Sequence, residues 1–413
     1  MKAPARATLA ISAAALMARS VSGVQPNSAA PATIRISLEV HVTRGFENEN
    51  FWEPHILALS TDPPSLVAVS FLLKAPPGPS LRSECTIFVS SDSGSSWSRA
   101  PGGTFSESRI CVDPWLAADG DGTVFLSYLH SFEETESNFR LGVRVRRSVD
   151  GGLTWSEPVD FPLDGARGYD KPSIAVDTGS RSPDRGKVYV HAAAGTRHAS
   201  GERIDWIAAA SSAHRAESFS SPQRVNESHL TLNSRNPAVF SDGTLLIPFN
   251  EVGTGGAKGL LQYPRIFVAR SQNGGRSFSL PYLLTEKADA YPYTLAIDLS
   301  DGSSRDRAYL AFKGRQGDSH IYVTYSEDLG QTWSEPIRVN DDSGADAFHL
   351  VPMIAVNRQG TVIVAWYDRR SDPGNLGTEI CASASLDGGA SFLPNVRVSG
   401  RGRVLPTTDE GRT

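Results

Sequence analysis

Ser326 to Trp333 reads "SEDLGQTW", and close copies of it recur along the chain. Ser90–Trp97 is "SSDSGSSW", Ser148–Trp155 is "SVDGGLTW", Ser271–Phe278 is "SQNGGRSF" and Ser385–Phe392 is "SLDGGASF". A worn copy, Ser212–Phe219, reads "SAHRAESF", with His214 for the Asp and Ala216 for the Gly. The shared pattern is Ser-x-Asp-x-Gly-x-Ser/Thr-aromatic. Its starts lie 58, 64, 59, 55 and 59 residues apart, a period of the size that marks a repeat architecture.

Each period carries the same strand grammar. A first apolar run follows a Pro, as in "EPHILALS", "DPWLAAD", "KPSIAVD", "NPAVFSD", "YPYTLAID" and "VPMIAVN". A turn and a second run follow ("TVFLSYL", "TVIVAWY"), then a third run into the motif and a shorter fourth after it ("SEPIRVN"). Runs of four to eight such residues between turn signals are strands, and no helical periodicity of comparable length competes. Six units of four antiparallel strands predict an all-β, six-bladed β-propeller with the repeated turn between third and fourth strands. Radial repetition leaves only short sheet edges. For closure, "TIRISLEVHVT" (33–43) is expected to pair in the last blade near 378–399, with "NVRVSG" as the competing strand.

The repeat has a folding explanation. Its Asp carboxylate can accept turn N–H groups. Its Gly takes positive φ without steric cost. Its aromatic ring can bury against the blade.

Composition bounds the rest. The chain has 413 residues, with 40 Lys+Arg against 45 Asp+Glu for a net charge of −5. No basic block suggests nucleic acid, and after the N-terminus no stretch is long and apolar enough to span a membrane. Residues 1–23 have a basic start, a short apolar stretch and small residues, the form of a secretory signal peptide. Residues 24–32 read as a flexible leader, 33–400 as the propeller and 401–413 as a C-terminal tail. The expected location is secreted or periplasmic, and a monomer is favoured. Cys85, Cys111 and Cys381 read first as buried small side chains. Cys85 and Cys111 are close enough in sequence to bridge in an oxidising compartment. No zinc-like spacing occurs, and neither a metal nor a cofactor is expected.

The repeat resembles the Asp-box, or bacterial neuraminidase repeat, of the sialidase superfamily, over residues 90–392. "DKPSIAVD" (170–177) and "VAWYDRR" (364–370) look like stretches of exported bacterial Asp-box propellers. The resemblance implies a six-bladed propeller and, where the family's site is intact, a retaining sialidase with a Tyr–Glu nucleophile, an Asp acid/base and three Arg on the sugar carboxylate. Those positions are not matched cleanly here. Trp52 stands at the first Arg, Ser234 beside Arg235 at the Glu, and Asn250 beside Glu251 at the second Arg. Asp318 with nearby Arg315 falls at the third Arg, and Phe348-His349 at the Tyr.

The face on which the innermost strands begin is therefore expected to carry a glycan or another polar ligand. Candidate binding residues are Trp52, Trp115, Lys171, Arg235, Asn236, Tyr291, Arg315, His349, Asp368 and Arg369. Catalytic candidates are Glu53, Asp113, Asp170, Glu251 and Tyr367, with Tyr367–Glu53 and Tyr291–Glu251 as possible nucleophile pairs. The competing readings are an active exo-sialidase or related glycoside hydrolase, and a non-catalytic interaction scaffold.

Overall fold

The computed structural model describes residues 32–404 apart from 75–81, 106–108, 136–137, 198–202, 227–230, 253–264, 286–287, 316–317, 344–346, 373–376 and 400–402. The expected signal peptide lies outside the described residues. Every described element is a strand, and the strands form six antiparallel sheets, making the chain a six-bladed β-propeller. Among the described residues no helix is long and apolar enough to cross a membrane.

Two compact units divide the chain, one dominated by His41–Ala290 and the other by Tyr291–Glu327 with Thr332–Thr413. The first unit holds blades 1 to 4. Blade 1 runs Asn50–Ala58, Leu66–Lys74, Arg82–Ser90 and Ser98–Phe105. Blade 2 runs Cys111–Ala118, Val124–Thr135, Asn138–Ser148 and Val159–Asp160. Blade 3 opens with Gly168–Val176 and Val188–Arg197, and blade 4 with Thr231–Ser234 and Leu245–Val252. Apolar residues of adjacent blades interlock: Val67, Val69 and Ile87 of blade 1 pack with Leu116, Val124 and Leu126 of blade 2. The second unit holds most of blade 5 and all of blade 6, where Tyr309 and Val323 pack with Val362, Val364 and Trp366.

The repeated turn sits where the pattern placed it, at the end of each third strand. In the copy at 148–155, the Ser148 hydroxyl donates to Asp150 at 2.7 Å and accepts the Gly152 N–H at 2.8 Å. Asp150 also accepts the Thr154 N–H at 2.9 Å and its hydroxyl at 2.5 Å. Trp155 Nε1 donates to the Gly152 carbonyl at 3.0 Å. Gly152 has φ of +92°, so the glycine is needed for its backbone. In the worn copy Ala216 takes φ of +61° and stays buried. There Ser212 still accepts the Ala216 N–H at 3.1 Å.

Two expectations are corrected. Residues 33–40 form no strand; the fourth strand of blade 6 is Val396–Arg397, the competing "NVRVSG" segment. Arg403–Val404 adds a short pairing to Thr378 and Gly377. Cys85 and Cys111 are buried as expected but not as free thiols: they form a disulfide, with Cα atoms 5.4 Å apart, while Cys381 is free and buried. Contact across the packed blade 1–blade 2 boundary brings the two cysteines together.

Candidate functional site

The opposite end of the blade repeats a backbone rather than a sequence. The residue before the Pro of the first apolar run is left-handed in five blades: Glu53 (φ +46°), Asp113 (+50°), Lys171 (+49°), Asn236 (+49°) and Val351 (+51°). A residue before Pro is normally driven to extended backbone, so five such residues are strained in the same way. Pro cannot donate to the sheet ladder, and a bulge accommodates it. Trp52 pairs with Phe71 and His55 with Val69, so Glu53 and Pro54 together face one residue, Ser70. Registers shift likewise between Val112 and Trp115 and between Leu350 and Met353. The Ser70 hydroxyl caps the first bulge by donating to the Trp52 carbonyl at 2.5 Å.

The bulges of blades 1 to 3 send three charged side chains to one place. Lys171 Nζ lies 3.0 Å from Asp113 Oδ1 and 3.5 Å from Glu53 Oε1. Lys171 thus holds the Glu53 and Asp113 carboxyls together, and each acts on the ionisation of the other. Burial, the hydrogen bond to Asp113 and the charge of Asp113 raise the Glu53 pKa to about 7. For Asp113 burial acts upward, but the Glu53 hydrogen bond and the Lys171 charge outweigh it and hold it below the ordinary carboxylate range. As pH falls below about 7 the pair therefore takes up one proton, on Glu53, beside an ionised Asp113. Arg235 of blade 4 acts on both carboxyls and on His55.

Aromatic groups border this cluster. Trp52 is 43% exposed, next to Glu53 in sequence. The Trp115 ring packs on His55 with centroids 4.1 Å apart. His55 Nδ1 accepts the Leu116 N–H at 3.3 Å, so its proton is on Nε2. Burial, with Arg235 adding to it, pushes His55 down to about 3, so it is neutral. Asn236 Oδ1 is buried without a hydrogen bond.

The other candidates from the sequence make local contacts of their own or lie in the second unit. Asp170 accepts the Lys171 N–H at 3.0 Å in a local turn. Glu251 lies 3.3 Å from Arg265. In the second unit Asp368 is buried and bonded by Trp366 and Arg370, each at 2.8 Å. Arg369 lies over the Phe348 ring at 5.7 Å. His349 is buried. Arg315 follows the second strand of blade 5, and Tyr291 lies in the first. Burial raises the Tyr367 phenol. Each Tyr–Glu pair named from the sequence takes one residue from each unit, and neither unit by itself brings such a pair together. His55 was missed, although its place one residue after the Pro of "EPH" marks it as part of the bulge.

No family model matches the chain. Over 322 residues it is 23% identical to a sialidase of Bacteroides fragilis, a match covering 68% of this chain and 54% of that protein. The chain thus spans about half the length of the sialidase it resembles. A protein of unknown function from Dyadobacter fermentans superposes with a TM-score of 0.51 at 16% identity, covering 77% of this chain and 90% of that one. An ulvan lyase, a polysaccharide lyase, superposes with a TM-score of 0.53 at 10% identity, covering 83% and 82%. The chain has a six-bladed propeller fold and resembles a sialidase over about two thirds of its length.

Proposed function

We propose that the chain is an exported propeller that binds a glycan at the bulged strand starts of blades 1 to 4. The observation that carries this reading is the Glu53 and Asp113 carboxyls held by one Lys171, all three on strained backbone, with the exposed Trp52 next to Glu53 in sequence. A neutral Glu53 offers both a donor and an acceptor, Asp113 an acceptor and Lys171 a donor, a set suited to sugar hydroxyls. Trp52 offers an apolar face for a sugar ring.

A sialic acid carboxylate fits this place poorly. Lys171 already faces two carboxyls, Arg235 adds its charge to the same pair, and an ionised Asp113 would repel a second carboxylate. The Bacteroides sialidase match and the ulvan lyase fold are consistent with a glycan as ligand class. Export is supported by the form of residues 1–23 and by the Cys85–Cys111 bridge, since disulfides persist in oxidising compartments.

A second reading, a glycoside hydrolase, is favoured by the pKa of Glu53, which suits a general acid near neutral pH. Against it, both carboxyls are turned onto Lys171 Nζ, at 3.5 and 3.0 Å, rather than held apart across a bond to be cleaved. The nucleophile would have to come from elsewhere.

The test is a glycan array with hydrolysis followed in parallel, including a fluorogenic sialoside. Saturable binding of a neutral sugar, lost in Lys171→Ala and Trp52→Ala without sialoside turnover, is expected. Turnover lost in Glu53→Gln would establish the second reading. Neither binding nor turnover on any glycan would overturn both.

A further inference from the structure

His349 opens the first strand of blade 6 and is fully buried. Its Nδ1 lies 2.8 Å from the Ser319 carbonyl oxygen, which can only accept, so Nδ1 carries the proton. Nε2 of the neutral ring then presents a lone pair. It faces Asp342 Oδ1 at 3.2 Å and Asp368 Oδ2 at 3.4 Å, yet it makes no hydrogen bond. An imidazolium would need its Nε2–H aligned with one of these oxygens, and neither contact has that geometry. A buried lone pair between two acceptors is costly unless a cation sits among them.

Asp342 adds a second unpartnered atom. Its side chain is 9% exposed, and its Oδ2 is buried with no hydrogen bond. Its Oδ1 accepts from Asn340 Nδ2 at 2.6 Å, with Arg370 at 3.3 Å and Arg338 at 3.7 Å. His320 completes the group: donor atoms of His320, Asp342 and His349 all lie within 4.8 Å of one another. Asp368 is excluded, for Trp366, the Arg370 side chain and the Arg370 N–H already occupy its oxygens.

We propose that His320, Asp342 and His349 hold a divalent metal ion, zinc by the chemistry of its donors. The sequence reading expected no metal, because no pair of cysteines has zinc-like spacing. Zinc ligands at about 2.0–2.2 Å in a tetrahedron stand roughly 3.3 Å apart, close to the His349–Asp342 separation of 3.2 Å. The Ser319 carbonyl on His349 Nδ1 is the outer partner that fixes a ligating histidine's tautomer. Asn340 Nδ2 lies 2.9 Å from His320 Nδ1, a contact the ion would replace. Three protein ligands leave a fourth position for water.

The experiment titrates chelator-treated full-length protein with zinc against a chromogenic chelator, and follows thermal melting with and without zinc. One saturable equivalent and a raised melting temperature are expected. His349→Gln and Asp342→Asn should each weaken binding at least tenfold. His320→Gln, at a partly exposed position, should do the same while leaving the metal-free melting temperature near that of the wild type. No saturable binding by folded wild type, or binding that survives both Asp342→Asn and His320→Gln, overturns the proposal.

Discussion

The two ends of a blade make opposite use of repetition. At one end the sequence recurs, and its polar groups satisfy one another within the turn. The copies at 90–97 and 385–392 bond as that at 148–155 does, down to the Asp oxygen that takes the residue-seven N–H at 2.8–2.9 Å. At the other end the backbone recurs while the side chains differ: Glu53, Asp113, Lys171, Asn236 and Val351 share one left-handed conformation. A repeated side chain with only local partners is explained by folding. A repeated strain carrying varied side chains, three of them charged and engaged with one another, calls for another reason, and a ligand supplies one.

The comparison breaks most severely if the bridge is removed. Cys85 lies opposite Phe71, itself opposite Trp52, and Cys111 is two residues before Asp113, so the disulfide clamps the bulged end of blades 1 and 2. Cys85→Ala with Cys111→Ala is expected to cost about 3–4 kcal/mol from the loss of a 26-residue closure. The denaturation midpoint measures this, and ligand affinity should fall with it.

Two single substitutions should then separate the ends. Asp150→Ala leaves turn N–H groups unpaired and should lower stability by roughly 1–3 kcal/mol with ligand affinity unchanged. Lys171→Ala should weaken glycan binding at least tenfold while the melting temperature moves little. Parallel melting and binding curves that showed the reverse would exchange the roles assigned to the two ends.

Acidity gives a subtler contrast. The folded Glu53 pKa is about 7, above its ordinary 4.5. Its stabilising contribution is complete below about 4.5 and is lost as pH rises towards 7. Asp92 has the opposite sign. The Ser96 hydroxyl, then the Ser96 amide, hold it down to about 2, so its contribution is present above 3.8 and lost as pH falls towards 2. Subtracting the Glu53→Gln melting profile from that of the wild type should isolate a slope between pH 4.5 and 7. A flat difference would show that Glu53 titrates normally.

The smallest effect should come from repairing the worn turn. His214→Asp places a carboxylate where Ser218 can donate to it, as Ser96 does to Asp92, and should stabilise by about 1 kcal/mol in a thermal melt.

The sequence by itself determined the blade count, the place of each turn and the acceptor role of its Asp. Those interactions join residues two to four apart, so the spacing of one short motif contains them. It also placed Glu53, Asp113, Lys171 and Arg235 on one face, because each begins an inner strand or adjoins one that does. Only the tertiary structure decided that Lys171 meets partners 58 and 118 residues away, and that the same surroundings raise the Glu53 pKa while lowering that of Asp113. The same holds for the Cys85–Cys111 bridge, for Val396–Arg397 taking the edge that 33–43 was expected to fill, and for the unpartnered nitrogen of His349. A desolvated charge takes its energy from what surrounds it in space, and packing between strands, not order along the chain, chooses those surroundings.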